Sequence, residues 1–266
     1  MYSIEHKVVW ITGASSGIGE ALVNELSKYQ NIKLVLSSRR MKELERVSQQ
    51  CNLQKENYLI LELDLENTSN IRQKAEHVIS KFGRIDVLIN NGGISQRSKV
   101  IETPLEIDRK LFEVNYFGTV ALTKAVLPYM VKQKEGRIIV ISSIAGKFGY
   151  YLRSAYSATK FALVGFFEAL RLEQEENNIK VTIAFPGKIK TPISLNALNA
   201  KGEANNQIEQ SHEDGLPAAD CAKQIIEALK KEKKEILIGG KELLAVYFKK
   251  WFPALFYWII KRQKQE

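Results

Sequence analysis

Val8-Val9-Trp10-Ile11-Thr12-Gly13-Ala14-Ser15-Ser16-Gly17-Ile18-Gly19 is the stretch from which the rest of the chain can be read. A short apolar run leads into a glycine-rich turn, and a helical pattern follows from Ile18 to about Tyr29. Strand, glycine turn and helix together form the geometry that holds a pyrophosphate on a helix N-terminus. Gly13 permits the tight turn, Gly17 close backbone approach, and Gly19 close packing of helix on strand. The spacing is Gly-x-x-x-Gly-x-Gly rather than the Gly-x-Gly-x-x-Gly of many dinucleotide sites. The plainer alternative is a glycine-rich loop with no ligand.

Further units repeat the pattern. Strands are expected at Lys33–Ser37, Asn57–Leu63, Ile85–Asn90, Gly136–Ser142, Lys180–Phe185 and Glu235–Ile238. Helices are expected at Ser69–Phe82, Leu105–Lys134, Ser154–Glu175 and Pro217–Lys231. Alternation of this kind implies an α/β fold, a doubly wound parallel sheet of about seven strands with helices on both faces. The polar and glycine clusters fall at strand C-termini, where open α/β sheets bind ligands. No linker divides Lys7–Gly239, so residues 1–240 are expected to form one Rossmann-type catalytic domain, followed by a separate segment over 241–266.

The second strand ends in Ser38-Arg39-Arg40. NAD sites usually place a carboxylate here against the ribose 2′-hydroxyl, whereas an arginine suits the 2′-phosphate of NADP. Ser38 stands at the acidic position and no carboxylate follows before Glu43, so NADP is favoured over NAD. The alternative is that both arginines merely begin the next helix in solvent.

Tyr156 and Lys160 are four residues apart on the Ser154–Glu175 helix, hence on one face. A free phenol loses its proton near pKa ~10. A nearby cation is expected to lower that value and make the pair a proton donor and acceptor for a carbonyl or alcohol. Taken alone, Tyr-x-x-x-Lys is weak evidence.

The chain has 266 residues, 45% of them hydrophobic, enough for a sizeable core. Cys51 and Cys221 are far apart and read as free thiols in a reducing compartment. His6, His77 and His212 are scattered, and no metal site is expected. No basic-then-apolar signal segment precedes the first strand, which points to a cytoplasmic protein. The net charge of +9 suggests nucleic acid or anionic membrane, but no nucleic-acid motif supports the first.

With these motifs assembled, the chain resembles the short-chain dehydrogenase/reductase family over residues 5–240. The match runs in order through Thr12–Gly19, Asn90–Gly93, Asn115, Ser143, Tyr156, Lys160 and Pro186–Thr191. Gly92 replaces the alanine commoner in the Asn-Asn-Ala-Gly turn, and the Thr12 segment lacks the basic residue of some NADP users. The resemblance implies that Tyr156 donates a proton to the carbonyl while nicotinamide delivers hydride. It also implies that Ser143 polarises the carbonyl and that Lys160 binds the nicotinamide ribose and lowers the Tyr156 pKa. Asn115 would hold a water leading from Lys160 to solvent. Asp64 and Leu65 would flank the adenine, and Asn91, Gly92 and Gly93 would line the adenosine. Pro186, Gly187, Ile189 and Thr191 would hold the nicotinamide end, with Ser15, Ser16 and Ile18 joining the glycine loop. A homo-oligomer, dimer or tetramer, is also implied.

The substrate side is less determined. Phe148, Tyr150 and Tyr151, just after Ser143, are expected to form an apolar wall. Ile193, Leu195 and Leu198 are expected in a variable lid, with Asn199–Gly215 polar and mobile. This favours a lipophilic carbonyl or alcohol. Arg97, Arg153, Lys188 and Lys190 could meet an anionic head group, but surface solvation is the expectation for each. The last segment holds Leu243–Phe248, Lys249-Lys250, the apolar run Trp251–Ile260 and a basic end. Ten apolar residues cannot span a bilayer, which needs about 20. Aromatics with flanking lysines suit a helix lying in the interface, bent at Pro253. The alternative is a lid over the cleft or a dimer contact. This tail and Thr191–Leu198 are similar to the dehydrogenase/reductase member 7 and 7B group, which implies membrane association and lipid-like substrates. Against an NADPH-dependent carbonyl reductase stand an NAD-dependent alcohol dehydrogenase of the same fold and a nonenzymatic nucleotide sensor.

Overall fold

The computed structural model describes residues 1–51, 53–205 and 214–262. Six strands come first: β1 (Val8–Thr12), β2 (Lys33–Ser38), β3 (Tyr58–Glu62), β4 (Val87–Asn90), β5 (Gly136–Ile141) and β6 (Ile179–Pro186). A short parallel pair follows, β7 (Ile189–Lys190) with β8 (Leu216–Pro217), and then β9 (Glu235–Ile238). The main sheet has seven strands in the order β3-β2-β1-β4-β5-β6-β9, and every pairing is parallel.

Both faces are covered, as continuous apolar strands require. Val9 and Ile11 point into one core with Leu22 of α1 (Gly17–Leu26), Leu44 of α2 (Met41–Gln50) and, further along the chain, Ile225. Val8 and Trp10 point into the other. There they meet Val78 of α3 (Ile71–Phe82) and, beyond α4 (Leu105–Phe112), Val126 of α5 (Gly118–Gln133) and Phe167 of α6 (Ser154–Glu173). Successive residues of one strand thus serve opposite layers, the period of two that a pleated backbone imposes. Ile225 lies on α7 (Ala218–Lys230).

Chain order reverses between β1 and β4. The loops leaving these strands diverge to opposite faces, and a crevice opens at their C-terminal ends.

Two regions differ from the expected elements. The long helix over Leu105–Lys134 is divided by a π-helical turn at Glu113–Phe117 between α4 and α5. Such turns add one residue to the helical ladder and re-aim a side chain. Here the re-aimed residue is Asn115, whose amide exchanges hydrogen bonds with the Ile94 backbone. The other is the expected mobile stretch, of which residues 206–213 lie outside the described residues. Asn199 to Asn205 form compact turns, with Asn199 N donating to Glu203 O at 2.9 Å.

The C-terminal segment folds as two short helices, α8 (Leu244–Trp251) and α9 (Pro253–Arg262), broken at Phe252–Pro253. Among the described residues no helix is long and apolar enough to cross a membrane. Phe256 is buried against Phe148, ring centroids 5.2 Å apart, with Ile144 in the same cluster.

The start of α5 meets the β3–α3 loop at van der Waals limits. A Cβ built on Gly118 would lie 2.1 Å from the Leu65 carbonyl oxygen. Gly118→Ala is therefore expected to cost roughly 1–3 kcal/mol through forced backbone displacement. The check is a lower denaturant midpoint at unchanged m-value.

Candidate active site

The crevice between β1 and β4 is held at a fixed width by Thr12. Its Oγ1 accepts hydrogen bonds from Asn91 N at 3.0 Å and Gly92 N at 2.8 Å. Asn91 Nδ2 in turn donates to Thr12 O at 2.9 Å and Gly13 O at 3.3 Å. Gly13 and Gly17 take left-handed φ values of +65° and +59°, which L side chains adopt at a cost. Gly19 lies so close to the turn that a Cβ would reach 2.1 Å from Gly13 O. The first N–H groups of α1 thus point into the crevice. Its N-cap, Ser16, makes no side-chain capping bond, so those donors and the positive end of the helix dipole face the cleft.

Ser16 Oγ is used differently. Arg40 Nη2 donates to it at 2.7 Å and to Ser15 Oγ at 2.9 Å. The Arg40 backbone N donates to Ser38 Oγ at 3.0 Å. Arg39 and Arg40 are exposed and border a cleft of about 410 Å³ with Ser38, Asp64 and Leu65. Asp64 Oδ1 accepts from Glu66 N at 3.0 Å.

This cleft continues into a second cavity of about 120 Å³. The two share Ile18, Asn91, Gly93 and Thr191 as walls. The inner cavity is bordered by Ser143 after β5, Tyr156 and Lys160 from α6, Pro186 and Gly187 at the end of β6, and Ile189 of β7. Thr191 arches back over the glycine loop; a Cβ on Gly17 would lie 3.1 Å from its Cγ2. Glu242 fastens the same loop from the C-terminal side. Its Oε1 accepts from Lys188 N at 2.9 Å and Gly240 N at 3.0 Å. Burial raises the Glu242 pKa, but these backbone donors outweigh it and hold the carboxyl below its ordinary value.

The electrostatics of the inner cavity are set by burial. Tyr156 has its pKa pushed up by desolvation, against opposing pulls from the Arg153 charge and a hydrogen bond with Ser143. Lys160 is pushed down to about 8 by the same desolvation. Lys160 Nζ donates to Ile141 O at 2.8 Å and lies 5.6 Å from the Tyr156 ring centroid. The expectation of a depressed tyrosine pKa is therefore reversed here: the cost of taking the phenolate out of water exceeds what Arg153 and Ser143 return. Asn115 lies beneath, its Nδ2 donating to Ile94 O at 2.9 Å and Thr159 Oγ1 at 3.2 Å.

The substrate-wall expectations divide. Tyr150 and Ile193 border the inner cavity with Ser143. Phe148 does not: it is 1% exposed and turned beneath Phe256. Tyr151 faces outward, 42% exposed. A 3-10 turn after Ser143 rotates Phe148 away from the cavity, and Leu152 at φ +60° reverses the chain after Tyr151. Arg153, expected in solvent, is buried; its Nη1 donates to Ser95 Oγ and, at 3.4 Å, to Gln96 O. Ile94, Ser95, Ile144 and Ala145 also border the cavity. No motif marks them, although Ser95 lies just two positions beyond the Gly92-Gly93 turn. Among the described residues no His, Cys, Asp or Glu cluster could hold a metal.

The residues present fit a nicotinamide dinucleotide. An uncapped helix start lies at the middle of the cleft, cations lie at one end, and a Ser–Tyr–Lys set lies at the other.

Comparison with known proteins agrees with this geometry. The short chain dehydrogenase family model matches residues 7–201. A "Dehydrogenase/reductase SDR family protein 7-like" of Anopheles gambiae is 41% identical, over 98% of this chain and 84% of its own length. A mouse "Dehydrogenase/reductase SDR family member 7B" is 41% identical over 97% of this chain and 81% of its own. A Burkholderia phymatum short chain dehydrogenase/reductase solved with NAD superposes with a TM-score of 0.85 over 96% of both chains. At 22% identity it speaks for the fold alone. Fold, cleft and sequence converge, and the chain belongs to the short-chain dehydrogenase/reductase family of nicotinamide-dependent oxidoreductases.

Proposed function

We propose that the protein is an NADP(H)-dependent carbonyl reductase for a lipophilic substrate, with Tyr156 as its general acid and base. The observation that carries this reading is the convergence of Ser143, Tyr156 and Lys160 on one largely apolar cavity that opens into the nucleotide cleft. Bound nicotinamide supplies the hydride. Ser143, already hydrogen-bonded to Tyr156, is set to orient the substrate oxygen. Tyr156 Oη, neutral because burial raises its pKa, carries the proton that this oxygen needs. Lys160, brought down to about 8 by burial, binds the nicotinamide ribose and supports reprotonation. Ile144, Tyr150 and Ile193 exclude water from the reacting end. In the reverse direction the same phenol accepts the alcohol proton.

NADP preference rests on Ser38-Arg39-Arg40. Arg40 is tied to Ser15 and Ser16, while Arg39 borders the cleft from the end of β2. Asp64, Leu65, Asn91 and Gly93 border the same cleft, which supports the reading that the first two flank the adenine and the last two the adjoining ribose.

The C-terminal helices supply a contact with a membrane surface. Leu244, Tyr247 and Trp251 form one exposed stripe at helical spacing on α8, and Phe252, Tyr257 and Trp258 are exposed beyond it. Lys241, Lys250 and Lys261 are exposed alongside. From 241 to 266 there are six basic residues against two acidic ones. Aromatic rows with a cationic border favour the interface of anionic lipid.

Tyr156→Phe is expected to keep the fold and cofactor binding and to lose about 10²–10⁴-fold in turnover. Screening aldehydes and ketones with NADPH finds the substrate; wild-type rates in the variant would remove the phenol from the mechanism.

Arg39→Ala should weaken NADPH roughly 10–100-fold and leave NADH nearly unchanged, since only NADPH carries the 2′-phosphate. Arg40→Ala should weaken both, because it also frees the glycine loop. Fluorescence titration with each cofactor reads the two effects, and equal losses in Arg39→Ala would sink the NADP assignment.

For the tail, replacing Tyr247, Trp251 and Trp258 together by Ala leaves the buried Phe256 contact in place. The full chain should sediment with anionic vesicles and the triple variant should not. If neither sediments, the row is a dimer contact or a lid, and truncation changes oligomer mass or KM instead.

A further inference from the structure

The first N–H groups of an α-helix have no partner within the helix. In α6 this matters for chemistry, because Tyr156 lies in the first turn. The N-cap is Arg153, whose side chain makes no capping hydrogen bond, and arginine is not a capping residue. The missing acceptor comes from another part of the chain. Gln96, on the loop leaving β4, is 0% exposed. Its Oε1 accepts from Ala155 N at 3.1 Å and from Tyr156 N at 3.5 Å.

The other end of the same amide is also engaged. Gln96 Nε2 donates to Ser98 Oγ at 3.1 Å, Thr103 Oγ1 at 3.2 Å and Ser154 Oγ at 3.5 Å. The helix start reciprocates, with Arg153 Nη1 donating to Ser95 Oγ and Gln96 O. Loop and helix are thus clasped from both sides. Ser95 of this loop and Tyr156 of this helix both border the inner cavity. Few side chains meet these demands together. The position needs an acceptor toward the helix and a donor toward hydroxyls, both out of water, and a primary amide supplies both.

We propose that Gln96 is the positioning residue for Tyr156. It caps the catalytic helix across the fold and sets how far the phenol enters the cavity relative to Ser143. This rests on Tyr156 as the proton donor. Catalytic geometry is intolerant of displacement, and a misplacement of about 1 Å can cost about a hundredfold in rate. Capping by Gln96 therefore acts on kcat more than on cofactor affinity, since apart from Lys160, one turn further into α6, the proposed cofactor contacts lie on the loops after β1, β2, β3, β4 and β6.

The test uses the full chain with Gln96→Met, which keeps the length of the side chain and removes its polarity, and Gln96→Glu, which keeps the acceptor at a helix N-terminus that favours negative charge. Gln96→Met is expected to bind NADPH within about twofold of wild type, to lose roughly 10–100-fold in kcat and to shift the basic limb of the pH–rate profile. Amide exchange at Ala155 and Tyr156 should quicken. Gln96→Glu should restore most of kcat and slow the exchange again. Wild-type kcat, pH profile and exchange in Gln96→Met would overturn the proposal. So would equal losses of kcat, NADPH affinity and Tm that Gln96→Glu fails to relieve, the pattern of a general core residue. Should Gln96→Met not fold, Gln96→Asn withdraws the acceptor by one methylene and is read by the same criteria. Tyr156→Phe is run beside them. If it keeps its turnover, the proton-donor reading falls, and unchanged exchange in the Gln96 variants would then dispose of the cap as well.

Discussion

The Thr12 hydroxyl accepts two backbone N–H groups, from Asn91 and Gly92. This short-range contact decides the geometry of the cleft. β1 and β4 are neighbours in the sheet but their connections run to opposite faces, so their C-terminal ends would otherwise be free to splay. The hydroxyl spans that gap, and the Asn91 amide closes the circuit by donating to the backbone of Thr12 and Gly13. Four backbone groups at these strand termini thereby gain side-chain partners where no helix or ladder continues. The glycine turn, the start of α1 and the Gly92-Gly93 turn then share one rigid frame.

Within that frame, charge is managed by withholding partners rather than by supplying them. The start of α1 lacks a side-chain cap and so keeps its donors for an anion. At the far end, Tyr156 and Lys160 are shielded from water, which drives their pKa values apart: the phenol up and the ammonium down to about 8. A proton moves most readily between groups and substrates whose affinities lie near the working pH. Desolvation brings the lysine into that range while keeping the tyrosine protonated.

Much of this was legible in the sequence because it is local. The apolar strands, the glycine turn and the i, i+4 pairing of Tyr156 with Lys160 each follow from neighbouring residues and a fixed period. Phe148 was misjudged because a 3-10 turn after Ser143 sets its direction, and Tyr151 and Arg153 because theirs depend on a reversal at Leu152 that no propensity encodes. Arg153 reads as a solvated cation by type, yet the loop after β4 offers it Ser95 and the Gln96 carbonyl inside the fold. The π turn at Asn115 was likewise hidden, since its cause is the Ile94 backbone about twenty residues upstream. Gln96 carried no signal at all. The N–H groups that it caps belong to Ala155 and Tyr156, and they appear unmet only once the helix has been placed.

The C-terminal helices join the two scales. On α9, Phe256 and Ile260 face inward one turn apart, while Leu255 and Trp258 face out. The inward residues share a cluster with Ile144 and Tyr150, which also border the inner cavity. The tail is thus the outer layer of the cavity wall on one face and an aromatic surface on the other. An apolar face of this size, left toward water, is costly unless something covers it. In the proposed membrane contact, lipid would meet that need without a second protein and would bring the wall of an apolar cavity against the phase in which the proposed lipophilic carbonyl dissolves. Substrate would then reach Tyr156 across a few side chains rather than through bulk water. Broken at Pro253, the pair can lie flat along such a surface where one straight helix would have to leave it.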